Sequence, residues 1–304
     1  MINKLNFELI SLDKQELYHK YFSATPTQSA DYTFMNIFGL KDIYMLEWAF
    51  TDDFVFIRQK YPQTMYWAPI GDWNNKSEIL SDYLKEINNI IRIPKDLALY
   101  LESNNIKNVE ESRDEWEYIY SYTELTTLSG GKFHKKKNLY NQFIKNEYEF
   151  KNIDTTIIKD IYEFENNINM LLNNHNNTVE TENNASEISN QMRADADIYM
   201  TKILLDYWEK INHIIGGVIY IDKKIVAYTI ADLSMRDTIV VHTEKADRNY
   251  KGSYQAINKI FLDNIKDERF TLINREQDVG DLGLRKAKMS YNPVGFIEKY
   301  KTTN

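Results

Sequence analysis

The second half of the chain contains apolar stretches whose spacing alternates between the strand period and the helix period. Apolar residues at positions 256, 257, 260, 261 and 265 recur with the helical period and predict a helix over 253–265. A polar turn at 222–224 between two apolar runs predicts a hairpin of strands at 217–221 and 225–233. Further elements are predicted as a strand at 238–243, a strand at 270–274, a helix at 282–290 and a strand at 294–300. The order β-β-β-α-β-α-β is typical of an acyltransferase-type α/β sheet.

The first half shows a similar succession of elements. Strand-like runs lie at 44–50, 54–60, 65–69 and 117–122, and helical patterns lie at 77–91 and 96–103. Three longer helical patterns follow at 132–146, 155–174 and 194–212. We therefore predict an α/β (α+β) fold with two mixed sheets flanked by helices. The predicted domains are 1–128 and 129–304, similar in topology although the two halves do not repeat in sequence.

Composition narrows the class of protein. The chain has 304 residues, no cysteine and a formal net charge of −8, so it is long enough for two domains and is not a general DNA-binding protein. Its five histidines are scattered, and we expect no metal site. Neither a signal peptide nor an apolar run near 18 residues occurs, so we expect no integral membrane segment and a cytoplasmic location. The polar, Asn-rich segment 173–190 is predicted to be a flexible connection.

Polar side chains follow two of the predicted strands. His242, Glu244 and Lys245 stand at the end of one strand, where alternation places the imidazole and the carboxylate on the same face. Such a pair can act as a base and its orienting group, although a structural His–Glu pair is the more common case. The next strand ends in Asn274, Arg275, Glu276 and Asp278. Because parallel α/β sheets bind ligands beyond the carboxyl ends of their strands, we predict a site there, with Glu276 as a further candidate base. The candidate substrate-binding residues at these two strand ends are Lys245, Asn274, Arg275 and Asp278.

A glycine-containing loop precedes the predicted helix 253–265. The residues Gly252, Ser253, Tyr254 and Gln255 stand where a strand-loop-helix junction can present backbone N–H groups to a phosphate. This makes them candidates for binding the pyrophosphate of coenzyme A. The alternative is that Gly252 is an ordinary turn residue.

Two basic stretches are candidate anion-binding surfaces. Residues 125–146 contain no acidic side chain and would present a positive helix start to a polyanion such as tRNA. The candidate binding residues are Lys132, His134, Lys135, Asn138 and Asn141 in this stretch, and Arg285, Lys286 and Lys288 in the last predicted helix. The alternative for both stretches is a solvated, charged helix face.

Several of these motifs together resemble a bacterial family of unknown function. That family is similar to the C-terminal region of phosphatidylglycerol lysyltransferases and, more distantly, to the Fem peptidyltransferases. The resemblance covers nearly the whole chain and is carried by residues 132–138, 242–247, 254–258, 273–278, 283–288 and 291–294. The family usually has His where Asn292 stands. The resemblance implies a tandem GNAT-like fold and the transfer of an aminoacyl group from aminoacyl-tRNA.

The leading hypothesis is an acyl- or aminoacyl-transferase that moves its acyl group to an amine or hydroxyl. The donor would be acyl-CoA or aminoacyl-tRNA as a co-substrate, with no tightly bound cofactor. The acceptor would be a small molecule, a lipid or a peptide. A hypothesis from another class is a non-catalytic GNAT-like binding module that senses a nucleotide or an acylated metabolite.

Overall fold

The computed structural model describes residues 4–176 and 185–303. The chain forms two compact units that alternate along the sequence. Unit 1 comprises Met1–Tyr120, Ser234–Val240 and Leu272–Asn304, and unit 2 comprises Ser121–Leu233 and Val241–Thr271. The two units are therefore not the contiguous segments 1–128 and 129–304 that the order of elements suggests.

Among its described residues, unit 1 is built mainly of short strands and five short α-helices. Its helices are α1 (Gln15–Ala24), α2 (Phe34–Leu40), α3 (Ser77–Glu86) and α4 (Lys95–Ser103) in the first part of the chain, and α10 (Leu282–Met289) near the end. Its strands are β1 (Glu8–Leu9), β2 (Glu47–Phe50), β3 (Phe54–Gln59), β4 (Met65–Trp67), β5 (Ile70–Gly71), β6 (Ile90–Ile91), β7 (Ile93–Pro94), β8 (Val109–Glu111), β9 (Glu117–Ser121), β14 (Leu272–Gln277), β15 (Gly295–Ile297) and β16 (Lys299–Thr302).

These strands form sheets with different neighbours. Strands β1, β2, β3, β4 and β6 lie in that order, with β5 paired to β3. Strand β16 lies between β7 and β8 in a separate small sheet. Strand β15 pairs antiparallel with β9, which in turn neighbours β14. As a result, β9, β14 and β16 bring residues from near position 117 and from the last thirty residues of the chain into one unit.

Aromatic side chains form much of the core of unit 1. Tyr18 and Trp48 are fully buried, and their ring centroids lie 5.8 Å apart. Phe34, at the start of α2, packs on both of these rings. The helix begins there because the side chain of Thr33 accepts a hydrogen bond from the backbone N–H of Asn36, which is a standard N-cap.

Unit 2 consists of a sheet with helices on it. Its helices are α5 (Tyr122–Thr127), α6 (His134–Phe143), α7 (Ile158–Asn176), α8 (Ala185–Asp206) and α9 (Ser253–Asn264). Strands β10 (Glu149–Asn152), β11 (Ile214–Ile221), β12 (Lys224–Asp232) and β13 (Thr238–Ala246) lie in that order. The first three residues of β13 belong to unit 1, where they pair in parallel with β14.

The core of unit 2 lies under α6 and α9. Phe143, Ile219 and Ile257 are all fully buried in one cluster, which joins these two helices to β11. The apolar face predicted for the helix 253–265 is the face that packs here, as expected for an amphipathic helix on a sheet.

The structure departs from the predicted elements at several places. Strand β14 runs to Gln277 instead of ending near position 274, and the strand predicted at 294–300 is divided into β15 and β16. The helix predicted over 77–91 ends at Glu86, because Asn89 adopts a left-handed conformation and Ile90–Ile91 pairs with β4. Helices α7 and α8 include positions 173–176 and 185–190, so the loop predicted over 173–190 is wrong at both of its ends. Positions 177–184 of that prediction lie outside the described residues. Within the described part of the chain, no helix is long and apolar enough to span a membrane.

Candidate functional site

The polar strand end predicted at 274–278 lies at the end of β14 in unit 1. Asn274 is fully buried; its Nδ2 donates to Glu117 Oε2 over 2.5 Å, and its Oδ1 accepts the backbone N–H of Glu276 over 2.8 Å. Gln277 Nε2 donates to Asp31 Oδ1 over 2.9 Å. The strand end is therefore attached at two points to buried carboxylates, while the side chain of Glu276 lies partly exposed between them.

Those carboxylates belong to a buried ionic cluster that the sequence analysis did not predict. Lys299 Nζ donates to Ser29 Oγ and to Glu117 Oε1, both over 2.7 Å, and it also bonds Asp31. Arg92 forms a second ion pair with Asp31. The side chains of Lys299, Glu117 and Asp31 are at most 1% exposed, so each charge depends on its partners rather than on water.

The buried cluster shifts the pKa of its members. Burial on its own raises the pKa of Glu117, but the charge of Lys299 and its hydrogen bond outweigh that effect, so the pKa of Glu117 lies below its usual value. Burial lowers the pKa of Lys299, against the opposing attraction of Glu117. The pair is held as ions by its hydrogen bonds.

Asp278, four residues after Asn274, is the centre of a second charged cluster in unit 1. Its carboxylate is fully buried and accepts two hydrogen bonds from Arg285, each over 2.8 Å. Tyr118 Oη, Arg113 and the backbone N–H of Gly280 donate to the same carboxylate. With its oxygens so engaged, a direct contact of Asp278 with a substrate would require some of these bonds to break.

The bonds to Asp278 also lower its pKa. Burial alone raises the pKa of Asp278, but the hydrogen bonds from Arg285 and Tyr118 hold it at about 2. Arg285 is held in turn by Asp114, whose Oδ1 lies 2.7 Å from the guanidinium. Both carboxylates raise the pKa of Arg285. The predicted anion-binding residue Arg285 thus already has two carboxylate partners within its own unit.

Three other basic residues of the prediction lie along the same part of unit 1. The guanidinium of Arg275 lies 4.8 Å from the ring centroid of Tyr291. Lys288 donates to the backbone carbonyl of Arg275, and its Nζ lies 5.8 Å from the ring of Tyr118. Lys286 is exposed on α10, a helix without a buried residue. The structure therefore brings the predicted strand end and the basic helix into one neighbourhood.

The predicted pair His242 and Glu244 lies on β13 in unit 2. The side chain of His242 is fully buried, and its Nε2 lies 3.8 Å from Oδ2 of Asp232 on β12. Glu244 accepts a hydrogen bond from Asn258 on α9 over 3.0 Å. Each of the two residues thus has a partner from a neighbouring element that the sequence analysis did not name.

Lys245, the next residue of β13, faces α7 and α8. Its Nζ lies 2.9 Å from Glu165 and 3.3 Å from Asp197. Glu165 also accepts a hydrogen bond from the buried Tyr228 Oη over 2.5 Å. Burial lowers the pKa of Lys245 on its own, but the two carboxylates outweigh it and raise the pKa. Lys245 therefore lies within an ionic network of unit 2.

The predicted phosphate loop packs tightly against α6. Gly252 has φ 89°, and a Cβ atom there would lie 2.1 Å from the carbonyl oxygen of Leu139. The left-handed backbone and the close packing both require a glycine here. Gly252 is therefore explained as a structural turn residue, which was the alternative to a phosphate-binding role. Ser253 is buried, and Tyr254 and Gln255 are half-buried in the first turn of α9.

The basic stretch before and within α6 lies on the surface of unit 2. Lys132 Nζ is paired with the carboxylate of Glu124 over 2.7 Å. Glu124 is the residue just before the stretch 125–146, which contains no acidic side chain. The exposed members of the predicted set are Lys132, His134, Lys135, Asn138 and Asn141. This surface is positive and exposed. Both alternatives, a binding site for a polyanion and a solvated charged helix face, agree with that.

Residues that the sequence analysis missed are charged side chains inside strands or far from the motifs. Glu117 begins β9 and Lys299 begins β16, both next to apolar residues. A charged residue next to apolar residues is the only sign of these buried ions in the sequence. It does not show which residue is the partner. Asp31 and Arg113 carry no comparable signal, because they lie in three-residue 3-10 helices.

The described residues form three sheets, one more than predicted. The architecture of sheets flanked by helices is the GNAT-like α/β fold, as predicted. The chain belongs to the family described as "Phosphatidylglycerol lysyltransferase, C-terminal", whose profile matches residues 22–302. No curated protein sequence matches the chain.

Solved structures agree with this assignment. A conserved protein of unknown function from Bacteroides thetaiotaomicron is 28% identical, with a TM-score of 0.83 over 98% of this chain and 99% of that one. The C-terminal domain of a putative lysylphosphatidylglycerol synthetase from Agrobacterium fabrum has a TM-score of 0.64 at 12% identity, over 97% and 93% of the two chains. L-PGS from Bacillus licheniformis has a TM-score of 0.60 at 15% identity, over 99% and 94%. At these lower identities the likeness shows the fold alone.

Proposed function

We propose that this protein transfers an acyl or aminoacyl group from acyl-CoA or aminoacyl-tRNA to an amine or hydroxyl acceptor. The observation that carries the proposal is the family match over residues 22–302. The likeness in fold to L-PGS from Bacillus licheniformis and to FemX is consistent with it. The acceptor is proposed to be a small molecule, a lipid or a peptide.

The chemistry requires few special groups. With an amine acceptor, the nitrogen attacks the acyl carbon, a C–N bond forms, and the C–S bond to coenzyme A or the C–O bond to the tRNA ribose breaks. The acceptor nitrogen loses a proton to a carboxylate, and the leaving group takes up a proton. Orientation of the two reactants supplies up to about 7–11 kcal/mol of the barrier reduction. No thiol or metal is needed for this, which agrees with the absence of cysteine from the chain.

Among the candidate bases, Glu276 is favoured by its position. It is partly exposed, it lies between residues that are anchored in a buried cluster, and basic side chains of α10 belong to the same unit. Arg275, Arg285, Lys286 and Lys288 are proposed to favour an anionic donor group. Glu244 and His242 are the alternative pair in unit 2.

A transfer assay tests the proposal. The purified protein is incubated with [14C]acetyl-CoA or with tRNA charged with [14C]lysine or [14C]alanine, together with pools of amines, phosphatidylglycerol and peptidoglycan precursors. We expect labelled product from one donor and a loss of about 100-fold in rate for Glu276→Gln. Absence of product and of detectable binding with both donors would contradict the transferase proposal.

The choice between donors can be tested on the basic surface of α6. If aminoacyl-tRNA is the donor, Lys135→Glu should weaken tRNA binding, because it reverses a charge on the exposed positive surface. The control Lys224→Glu changes the net charge by the same amount at an exposed position on β12. Filter binding at two salt concentrations measures both variants. Equal affinities for the two variants would remove α6 from the tRNA site.

The second candidate function is a binding module without turnover. Gly252 packs tightly against Leu139, which accounts for the glycine without a coenzyme A phosphate. One argument for a catalytic acyl-CoA site is thereby removed, and this favours a module without turnover. A thermal-shift screen of coenzyme A, acyl-CoA and nucleotides tests it. A ligand at 100 times its dissociation constant should stabilise the protein by about 2.7 kcal/mol. Binding without consumption of the ligand would support this function over transfer.

A further inference from the structure

Glu276 has a backbone conformation that is unusual for its residue type. Its φ is 56°, in the left-handed region, although it lies within β14. For a residue with a Cβ atom, this conformation costs about 1–2 kcal/mol, and glycine is the residue that normally takes it. Three residues further on, Val279 has φ 50°, which is rarer still for a β-branched side chain. The segment is therefore strained at a position where a glycine would relieve the strain.

The strained conformation is held in place by Asn274. The Asn274 Oδ1 accepts the backbone N–H of Glu276 over 2.8 Å, which occupies the donor that a strand neighbour would otherwise bind. The other end of the same amide is fixed by Glu117, at 2.5 Å. Both side chains are fully buried, so no water competes for these bonds.

The anchor of Asn274 is itself rigid. Glu117 accepts hydrogen bonds from Lys299, from Ser29 and from the backbone N–H of Ala30, so its carboxylate has one orientation. On the other side of Glu276, Gln277 is tied to Asp31 in the same cluster. The cluster thus holds the backbone before and after Glu276 while the Glu276 side chain remains partly exposed.

We infer that Asn274, fixed by Glu117 and Lys299, is a positioning residue that keeps Glu276 left-handed so that its carboxylate is presented to the acceptor. The inference rests on the proposed transfer function, because that function gives the positioning its purpose. The hydrogen bonds that hold the backbone of Glu276 do not depend on that function. Strain that surrounding structure maintains at a polar residue is a recognised feature of functional sites. From the sequence, Asn274 was predicted to bind substrate. The inference instead gives Asn274 the role of holding the backbone of Glu276.

The first arm of the test needs no substrate. Glu276→Gly should raise the melting temperature by about 2 °C, because glycine adopts this conformation without strain. Met45→Gly is the matched control, since Met45 is exposed and also left-handed, with φ 49°. It should give a similar rise. A fall in melting temperature for Glu276→Gly, with the control rising, would overturn the inference.

The second arm reads the backbone directly. A crystal structure of Asn274→Ala should show residue 276 outside the left-handed region with the rest of unit 1 unchanged. If Asn274→Ala does not fold, Asn274→Leu, which has a similar size and no acceptor for the backbone N–H of Glu276, takes its place. Retention of the left-handed conformation in the variant would overturn the inference.

The third arm separates positioning from a merely structural role. In the transfer assay, Asn274→Ala should lower kcat by about 100-fold with the KM of the donor unchanged, as a misplaced reacting group does. Combining it with Glu276→Gln should cause no further loss. The pair Asn274→Asp with Glu117→Gln restores a donor and an acceptor between the two positions and should recover part of kcat.

The outcomes of the third arm are distinct. Additive losses for Asn274→Ala and Glu276→Gln would overturn the inference even if the enzyme is active. Failure of the wild-type protein to transfer from either donor would overturn the proposed function instead. In that case the first two arms alone decide whether Asn274 holds Glu276.

Discussion

Replacing Lys299 with methionine removes a cation that bridges Asp31 and Glu117. Its Nζ contacts both carboxylates and Ser29, and all of these side chains are buried. Methionine fills a similar volume, so the substitution deletes the charge without opening a large cavity. Asp31 keeps its ion pair with Arg92, whereas Glu117 keeps only its neutral hydrogen-bond donors.

The expected loss is large because a buried charge is left without its counter-ion. Removing one partner of a buried ion pair costs about 3–5 kcal/mol. Lys301→Met is the matched control on the same strand, since Lys301 pairs with Glu110 at 3.0 Å with both side chains about half exposed. Such an exposed pair contributes at most about 1 kcal/mol.

Urea unfolding followed by tryptophan fluorescence measures both variants. Trp48, Trp67, Trp73 and Trp116 lie in unit 1, so the signal reports mainly on the unit that contains the cluster. We expect the loss for Lys299→Met to diminish as the pH falls, because protonation of Glu117 removes the uncompensated charge. A loss no greater than that of Lys301→Met, or one independent of pH, would refute the assignment of a buried ionic cluster.

Two further predictions concern other contacts. The pKa of Asp278 is about 2 in the folded protein against 3.8 for the ordinary group, so its ionised form stabilises the fold above about pH 4 and this contribution is lost as the pH falls towards 2. The stability curves of the wild-type protein and Asp278→Asn should therefore converge between pH 4 and 2 in acid titrations; parallel curves would contradict the pairing with Arg285. Gly252→Ala should lose at least about 2 kcal/mol, since it combines left-handed strain with a clash on Leu139. Gly130→Ala, with φ 87° and nothing within 4 Å, should lose only about 1 kcal/mol, and equal losses in thermal melts would disprove the close packing.

Much of the fold was predictable because the signals are local. The helical period over 253–265 predicted α9 to within a residue, and the polar turn at 222–224 predicted the hairpin of β11 and β12. The end of α3 was missed because Asn89 and a two-residue strand leave almost no periodic pattern. The segment 173–190 was predicted as a loop on composition, yet its ends continue helices whose length depends on packing.

For the candidate site, the sequence located the polar strand end but not the buried charged residues that hold it. The polar run 274–278 was recognisable because it directly follows the apolar residues Leu272 and Ile273. Its partners could not be named, since Asn274 and Glu117 are 157 positions apart and Lys299 and Asp31 are 268 apart. No local pattern records a contact over such distances.

The sequence by itself determined the kinds of elements, the GNAT-like class and the family, because hydrophobic period and motif residues are properties of short segments. The tertiary structure decided which charges are buried, which carboxylate each cation meets, and that Glu276 is held in a strained conformation. These depend on strands from opposite ends of unit 1 lying side by side. Burial makes the pairing of charges obligatory there, since water is absent and an unpaired ion would destabilise the fold.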